Sequence, residues 1–314
     1  MTETPEPVAV ILAAHGDRGG ATPNAALRAH AEAVGRLTGF PILPGVLKGD
    51  PSIESALESA RTQRAARVIV YPMFMADGYF VHKLRERIAA VALTPKPDIL
   101  APLGLDPALP DVLVAEAATI AEARGASPNF GPQDPEAEQP GVSAAPTEHP
   151  QARERKTAET EETISNPVSA PKGPGATRPG ASAAPAERLW ARERKKLSSR
   201  LLIVGHGSKL GPASASATRK AAARAAITRR FASVTTAFLE EEPFLEDILR
   251  ASAATPTVVA GFFFGDGLHA GEDVPDAIAE AGANALYTGA IGNSPAVAPL
   301  IAAALKTALS GRGD

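Results

Sequence analysis

Leu201-Leu202-Ile203-Val204-Gly205-His206-Gly207-Ser208 is an apolar run that breaks off in a histidine held between two glycines. A short continuous apolar run of this kind fits a strand covered on both faces of a parallel sheet. Two further runs end the same way. Val234–Leu239 hands over to Glu240-Glu241-Glu242-Pro243, and Thr257–Phe264 to Gly265-Asp266-Gly267-Leu268-His269-Ala270-Gly271-Glu272-Asp273-Val274-Pro275. Open parallel sheets place ligands at the carboxyl ends of their strands. His206, Glu240 and His269 are therefore expected on one rim of one sheet. Two imidazoles and a carboxylate together suit metal handling or proton handling.

Working outward, Ala285–Thr288 reads as a fourth strand. Ala213–Arg230, Phe244–Ala251, Val274–Ala281 and Ala296–Leu309 read as helices. The first part of the chain has the same grammar. Val8–Ala14, Phe40–Leu47, Arg67–Phe74 and Asp98–Leu103 read as strands; Asn24–Leu37, Ser52–Arg64, Lys83–Val91 and Leu109–Glu122 read as helices. The two halves also match locally. Ala14-His15-Gly16-Asp17 parallels Gly205-His206-Gly207-Ser208, and Gly49-Asp50-Pro51-Ser52-Ile53-Glu54 parallels Glu241-Glu242-Pro243-Phe244-Leu245-Glu246. Met73–Gly78 parallels Phe262–Gly267, and Leu103–Pro107 parallels Ile291–Pro295. Strand alternating with helix predicts an α/β fold. The internal repeat makes it two lobes of one ancestry, each a mainly parallel four-stranded sheet flanked by helices.

Between the lobes the composition changes. Eleven of the 29 prolines fall within 127–186, and no Phe, Trp or Tyr occurs between Phe130 and Trp190. Such a segment cannot bury enough apolar surface to offset its ordering entropy. The expected organisation is a first lobe at 1–125, a long disordered linker at 126–198 and a second lobe at 199–314. Glu187–Lys196 reads as a short charged helix entering the second lobe.

Composition narrows the function classes. The 314 residues are 44% hydrophobic with a net charge of -3, which gives no support to a nucleic-acid partner. The absence of cysteine excludes a disulfide framework, a thiolate zinc site and an iron–sulfur cluster. Met1–Pro7 lacks the features of a signal peptide, and no run of about 20 apolar residues occurs. A soluble cytoplasmic protein without membrane contact is expected. No dinucleotide-binding glycine fingerprint, Walker loop or Gly-x-Ser-x-Gly elbow is present.

What remains is the trio. Neutral imidazole binds Co²⁺, Ni²⁺, Fe²⁺ and Zn²⁺ well, and no thiolate competes here. Two histidines and a carboxylate can hold such an ion with positions left open. Alternatively they can accept protons from a substrate, since histidine titrates near neutral pH. Metal insertion into a tetrapyrrole needs both, because two pyrrole N–H protons leave as the metal enters. Glu241 and Glu242 read as solvated helix-start charges, and Asp273 as the N-cap of the helix after it.

The strand followed by His206-Gly207-Ser208, the Phe238-Leu239-Glu240…Pro243 segment and the Gly267-x-His269-x-x-x-Asp273-Val274-Pro275 loop resemble the class II tetrapyrrole chelatases. The closest likeness is to the CbiX/SirB group of sirohydrochlorin chelatases in its long, two-lobe form. It covers residues 8–124 and 200–310. The resemblance implies a bilobal α/β fold with the substrate in the cleft between lobes. It also implies that His206, Glu240 and His269 bind metal and take protons. The expected activity is insertion of Co²⁺ or Fe²⁺, with Ni²⁺ also admissible, into sirohydrochlorin on the cobalamin or sirohaem pathway. No cofactor is expected beyond that metal substrate. A non-catalytic metal or tetrapyrrole carrier is the alternative.

The first lobe departs from the pattern. His15 matches the first histidine, but Lys48 stands at the place of the acid and Phe80 opposite His269, with His82 displaced by two. This lobe reads as a degenerate site or a cleft wall, with His15 and His82 as second-choice metal ligands. A polycarboxylate substrate calls for cations, and Lys209, Arg18, Lys48, Arg219 and Lys220 are candidates. The expected assembly is a monomer whose two lobes form the cleft, or a homodimer.

Overall fold

The structure, a computed structural model, describes residues 7–16, 24–125, 196–209 and 211–310. The predicted linker up to residue 195, the Glu187–Lys195 part of the predicted charged helix and Arg18 lie outside the described residues. In the first lobe β1 (Val8–Ala14), β2 (Ile42–Val46), β3 (Arg67–Pro72) and β4 (Asp98–Ile99) pair in the order β2-β1-β3-β4, all parallel. In the second, β5 (Arg200–Gly205), β6 (Val234–Phe238), β7 (Thr257–Gly261) and β8 (Ala285–Ala290) pair as β6-β5-β7-β8, again all parallel. The helices are α1 (Ala25–Thr38), α2 (Ile53–Thr62), α3 (Tyr79–Val91), α4 (Leu109–Gly125), α5 (Ala213–Ile227), α6 (Leu245–Ala251), α7 (Val274–Glu280) and α8 (Val297–Ser310).

The apolar runs of β1 and β5 explain themselves in the packing. Side chains alternate across a strand, so a strand buried on both sides must be apolar at every position. Val10, Leu12 and Ala14 enter one core, while Ala9, Ile11 and Ala13 enter another. In β5, Leu201 and Ile203 share the first of these cores, and Leu202 and Val204 fill a third. One core thus spans both lobes, and each lobe has a second core on its outer face. Leu57 of α2 and Leu84 of α3 close the outer core of the first lobe; Leu249 of α6 and Val274 of α7 close that of the second.

The shared core exists because the last helix of the first lobe crosses over. α4 packs on β7, β8 and α5 of the second lobe, and α8 packs on α1 of the first. Polar bonds fasten this arrangement. His30 on α1 is buried with Nε2 2.6 Å from the Gly292 carbonyl oxygen. Arg67 donates to the Ala308 carbonyl at 2.9 Å, Ser294 donates to Glu116, and the buried Arg230 pairs with Glu122.

Two elements differ from the expectation in ways that bear on the site. α3 begins at Tyr79, not near Lys83, with Gly78 at its N-cap position and no side-chain cap. Asp77-Gly78 reads as an exit loop because it has turn chemistry; the apolar Val81 and Leu84 nonetheless draw the whole segment into helical register. Residues His269–Asp273 form a π-turn that runs directly into α7, where the sequence suggested a flexible loop.

Candidate metal centre

The strand order positions the site. From β5 the chain moves to β6 on one side, then crosses back to β7 on the other. Loops leaving β5 and β7 therefore diverge, and the crevice at such a switch point is where open α/β sheets bind ligands. His206 follows β5, Glu240 follows β6, and His269 lies beyond β7. The β5–β6 pairing continues past the strands, with Leu239 N–H donating to Gly205 O at 3.3 Å and Glu240 N–H to His206 O at 3.0 Å. Glu240 is thereby zipped to the backbone of His206. Gly207, at φ +73°, turns the chain away from the sheet; a β-carbon there would lie 2.8 Å from Glu241 Cγ. Only glycine suits that turn.

One ligand atom each from His206, Glu240 and His269 lies within 4.8 Å of the others. Ligand atoms stand about 2.0–2.2 Å from a divalent ion, so a pair across it is at most about 4.4 Å apart. The trio therefore needs only slight closure to hold one. Among the described residues it is the one group of three or more His, Asp or Glu so arranged. The side chains are 38%, 45% and 42% exposed, open enough to admit an ion and a further ligand.

Hydrogen bonds fix which nitrogen of each ring is available. His206 Nδ1 lies 2.9 Å from the Gly207 carbonyl oxygen, which can only accept, so Nδ1 carries the proton. His269 Nδ1 lies 2.6 Å from Asp273 Oδ2. A carboxylate likewise accepts, leaving both Nε2 lone pairs for a metal. Donation from the other ring N–H to a carbonyl or carboxylate is the usual outer support of a ligating histidine. The two rings meet edge to face, with centroids 4.4 Å apart, and Glu240 Oε2 lies 3.7 Å from His206 Nδ1.

Asp273 was not legible as part of this support. The sequence suggests an N-cap, but Asp273 is itself helical and its side chain makes no cap hydrogen bond. The four-residue spacing from His269 is the signal that points to the pair, once that stretch is taken as helical. Glu241 also differs from its reading as a solvated charge. Its Oε2 accepts from Ser208 N–H at 3.1 Å and its Oε1 from Arg219 at 3.2 Å, which braces the loop carrying His206.

The remaining candidates are placed as follows. His15 holds its own next carbonyl, Gly16 O, at 3.1 Å from Nδ1, as His206 does, but its ring meets Phe80 at 4.6 Å. His82 is exposed on α3, with Nε2 3.1 Å from Glu86. Among the described residues, neither histidine belongs to a metal-holding group of three. Lys48 is exposed, and its N–H donates to His15 O at 2.8 Å, the backbone equivalent of Glu240 on His206. Lys209 and Lys220 are exposed. Arg219 is committed to Glu241 and lies over the Phe238 ring at 4.8 Å.

His15, His206 and His269 line one cleft of about 230 Å³ between the lobes, together with Phe74, Ser214 and Phe264. Two of the three metal-group residues, His206 and His269, thus line an interlobe cavity whose lining is mostly apolar.

Comparison with known proteins gives the same architecture. The CbiX family model matches residues 9–120 and 200–308, that is, both lobes. No curated protein sequence matches the chain. Among solved structures, the chain is similar to CbiX described as the terminal enzyme for biosynthesis of siroheme in denitrifying bacteria. That likeness has 25% identity, a TM-score of 0.62, and coverage of 96% of this chain and 99% of the other. SirB from Bacillus subtilis with Fe³⁺ shares the fold at 14% identity, with a TM-score of 0.63 and coverage of 98% and 99%. The sirohydrochlorin chelatase SirB from Bacillus subtilis subspecies spizizenii in complex with cobalt does so at 14% identity, a TM-score of 0.58 and coverage of 98% and 97%. With two parallel four-stranded sheets and a family match that runs through both, this chain belongs to the CbiX family.

Proposed function

We propose that the protein is a sirohydrochlorin chelatase that inserts Co²⁺ or Fe²⁺ into the tetrapyrrole in the cleft between its lobes. The observation that carries this reading is the grouping of His206, Glu240 and His269, with both histidines lining that cleft, in a chain of the CbiX family. The metal is a substrate here. Nε2 of His206 and of His269 takes the incoming ion, and the Glu240 carboxylate offsets part of its charge. Three protein ligands leave positions open for the pyrrole nitrogens. Two pyrrole protons leave as the metal enters; Glu240 accepts one, and one histidine, freed as the ion passes to the macrocycle, accepts the other. The ligands must then release the ion, which imidazole and carboxylate do more readily than thiolate.

The test is an anaerobic absorbance time course of sirohydrochlorin with Co²⁺, and separately with Fe²⁺, with and without protein. Acceleration over the spontaneous rate is expected. Tight binding of metal and tetrapyrrole with no acceleration would make the protein a carrier.

A further inference from the structure

The two lobes carry different chemistry at one position of the repeat. Gly78 and Gly267 correspond, so Tyr79 corresponds to Leu268 and Phe80 to His269. The geometry corresponds as well. His15 meets Phe80 edge to face at 4.6 Å, as His206 meets His269 at 4.4 Å. A phenyl ring has no lone pair, and Lys48 at the place of Glu240 brings a positive charge. Among the described residues, the first lobe therefore has no counterpart of the metal trio.

It holds an aromatic ladder. Phe80 stacks on Phe74 at 6.2 Å with the planes 12° apart, and meets Tyr79 edge-on at 5.4 Å. Phe74 and His15, which touch Phe80, line the same cleft as His206 and His269. The start of α3 also abuts the second lobe: a β-carbon on Gly78 would lie 3.4 Å from the Ala213 β-carbon, next to the cleft-lining Ser214. Yet Tyr79 is 61% and Phe80 42% exposed. Large apolar side chains exposed in a cluster continuous with a ligand cleft mark a binding surface. Fold stability alone does not account for them.

The occupant follows from the chemistry of the site, and this step rests on the chelatase reading above. A tetrapyrrole is a plane with two apolar faces and a carboxylate rim. One face must turn to the metal trio, and the other needs an apolar, preferably aromatic, seat. We propose that Phe80, flanked by Phe74 and Tyr79, seats the face of the macrocycle turned away from His206, Glu240 and His269. One lobe presents the metal, and the other holds the ring against it. Exposed Lys48, bonded through its N–H to His15 O, stands where a cation can meet the carboxylate rim.

The experiment titrates sirohydrochlorin by absorbance into wild type, Phe80→Ala, Phe80→Leu and Tyr79→Ala without metal, and titrates Co²⁺ separately without tetrapyrrole. Phe80→Ala is expected to weaken sirohydrochlorin binding by about tenfold, Tyr79→Ala by less, and Phe80→Leu least, because it keeps apolar volume. KM should rise more than kcat falls, and Co²⁺ affinity should stay within about twofold of wild type. Unchanged sirohydrochlorin binding in Phe80→Ala, with wild type active, would overturn the seat and leave the chelatase standing. Loss of both sirohydrochlorin and Co²⁺ affinity in Phe80→Ala would also overturn the seat, since Phe80 would then act on the fold. Failure of wild type to bind sirohydrochlorin would remove the chelatase reading and the seat together.

Discussion

Asp273 Oδ2 stands 2.6 Å from His269 Nδ1, across the π-turn that leads into α7. The carboxylate fixes the tautomer of the ring and leaves its Nε2 lone pair free, beside the His206 ring at 4.4 Å between centroids. Asp273→Asn removes the charge while keeping the volume. It is expected to lower Co²⁺ affinity by about 10–100-fold, the usual effect of losing such an outer partner. Isothermal titration of Co²⁺ against both proteins checks this. Circular dichroism should remain that of wild type.

Glu241 braces the loop after β5 through Ser208 and Arg219. Glu241→Ala is expected to destabilise the protein by about 1–2 kcal/mol, because a charged acceptor is lost from a half-buried backbone donor. The same change should reduce chelation, since His206 sits on that loop. Arg219→Ala, removing the more exposed partner, should cost less than about 1 kcal/mol. Thermal melts of the two variants give the comparison.

Gly104 and Gly292 occupy matching positions where the lobes turn into their last helices. A β-carbon on Gly104 would overlap the Met75 carbonyl, and one on Gly292 the Phe264 carbonyl. Backbone has no room to yield, so either Gly→Ala change should destabilise by about 1–3 kcal/mol or more. Gly39→Ala is a contrasting control, with open space around the new methyl but φ at +76°. Its cost should be confined to backbone strain of about 1–2 kcal/mol. Chemical denaturation curves measure both costs.

His30 links α1 to the Gly292 carbonyl across the lobes, and burial lowers its pKa below the ordinary histidine value. In the unfolded chain it binds a proton more readily, so folding is favoured above the unfolded pKa. That contribution is lost as pH falls through the folded value. Stability of wild type should therefore drop more on going from pH 7 to mildly acidic pH than that of His30→Gln. Urea midpoints at several pH values measure the difference.

Much of this fold is legible in sequence because β1 is apolar at every position and β5 is so from Leu201 to Val204, as a strand buried on both faces requires. The rim trio is legible for the same reason. Three strand-like runs end in His206-, Glu240- and His269-bearing loops, and parallel topology sends all three ends to one edge. Other features lie beyond periodicity. Leu113 and Val114 on α4 show that the helix is buried, yet nothing local says that the burying partner is β7 of the other lobe. Asp273-Val274-Pro275 has the pattern of a helix start, which hides the bond from Asp273 to His269. His82 is exposed on α3 beside Glu86, and the start of that helix at Tyr79 has no capping side chain to announce it.

The most direct measurement is cobalt insertion into sirohydrochlorin by wild type, His206→Ala and His269→Ala, followed anaerobically at equal concentrations of folded protein. The account predicts acceleration by wild type and none above the spontaneous rate for either variant. Wild-type rates in both variants would contradict it, because metal would then be entering by a route that does not involve the second lobe's histidines.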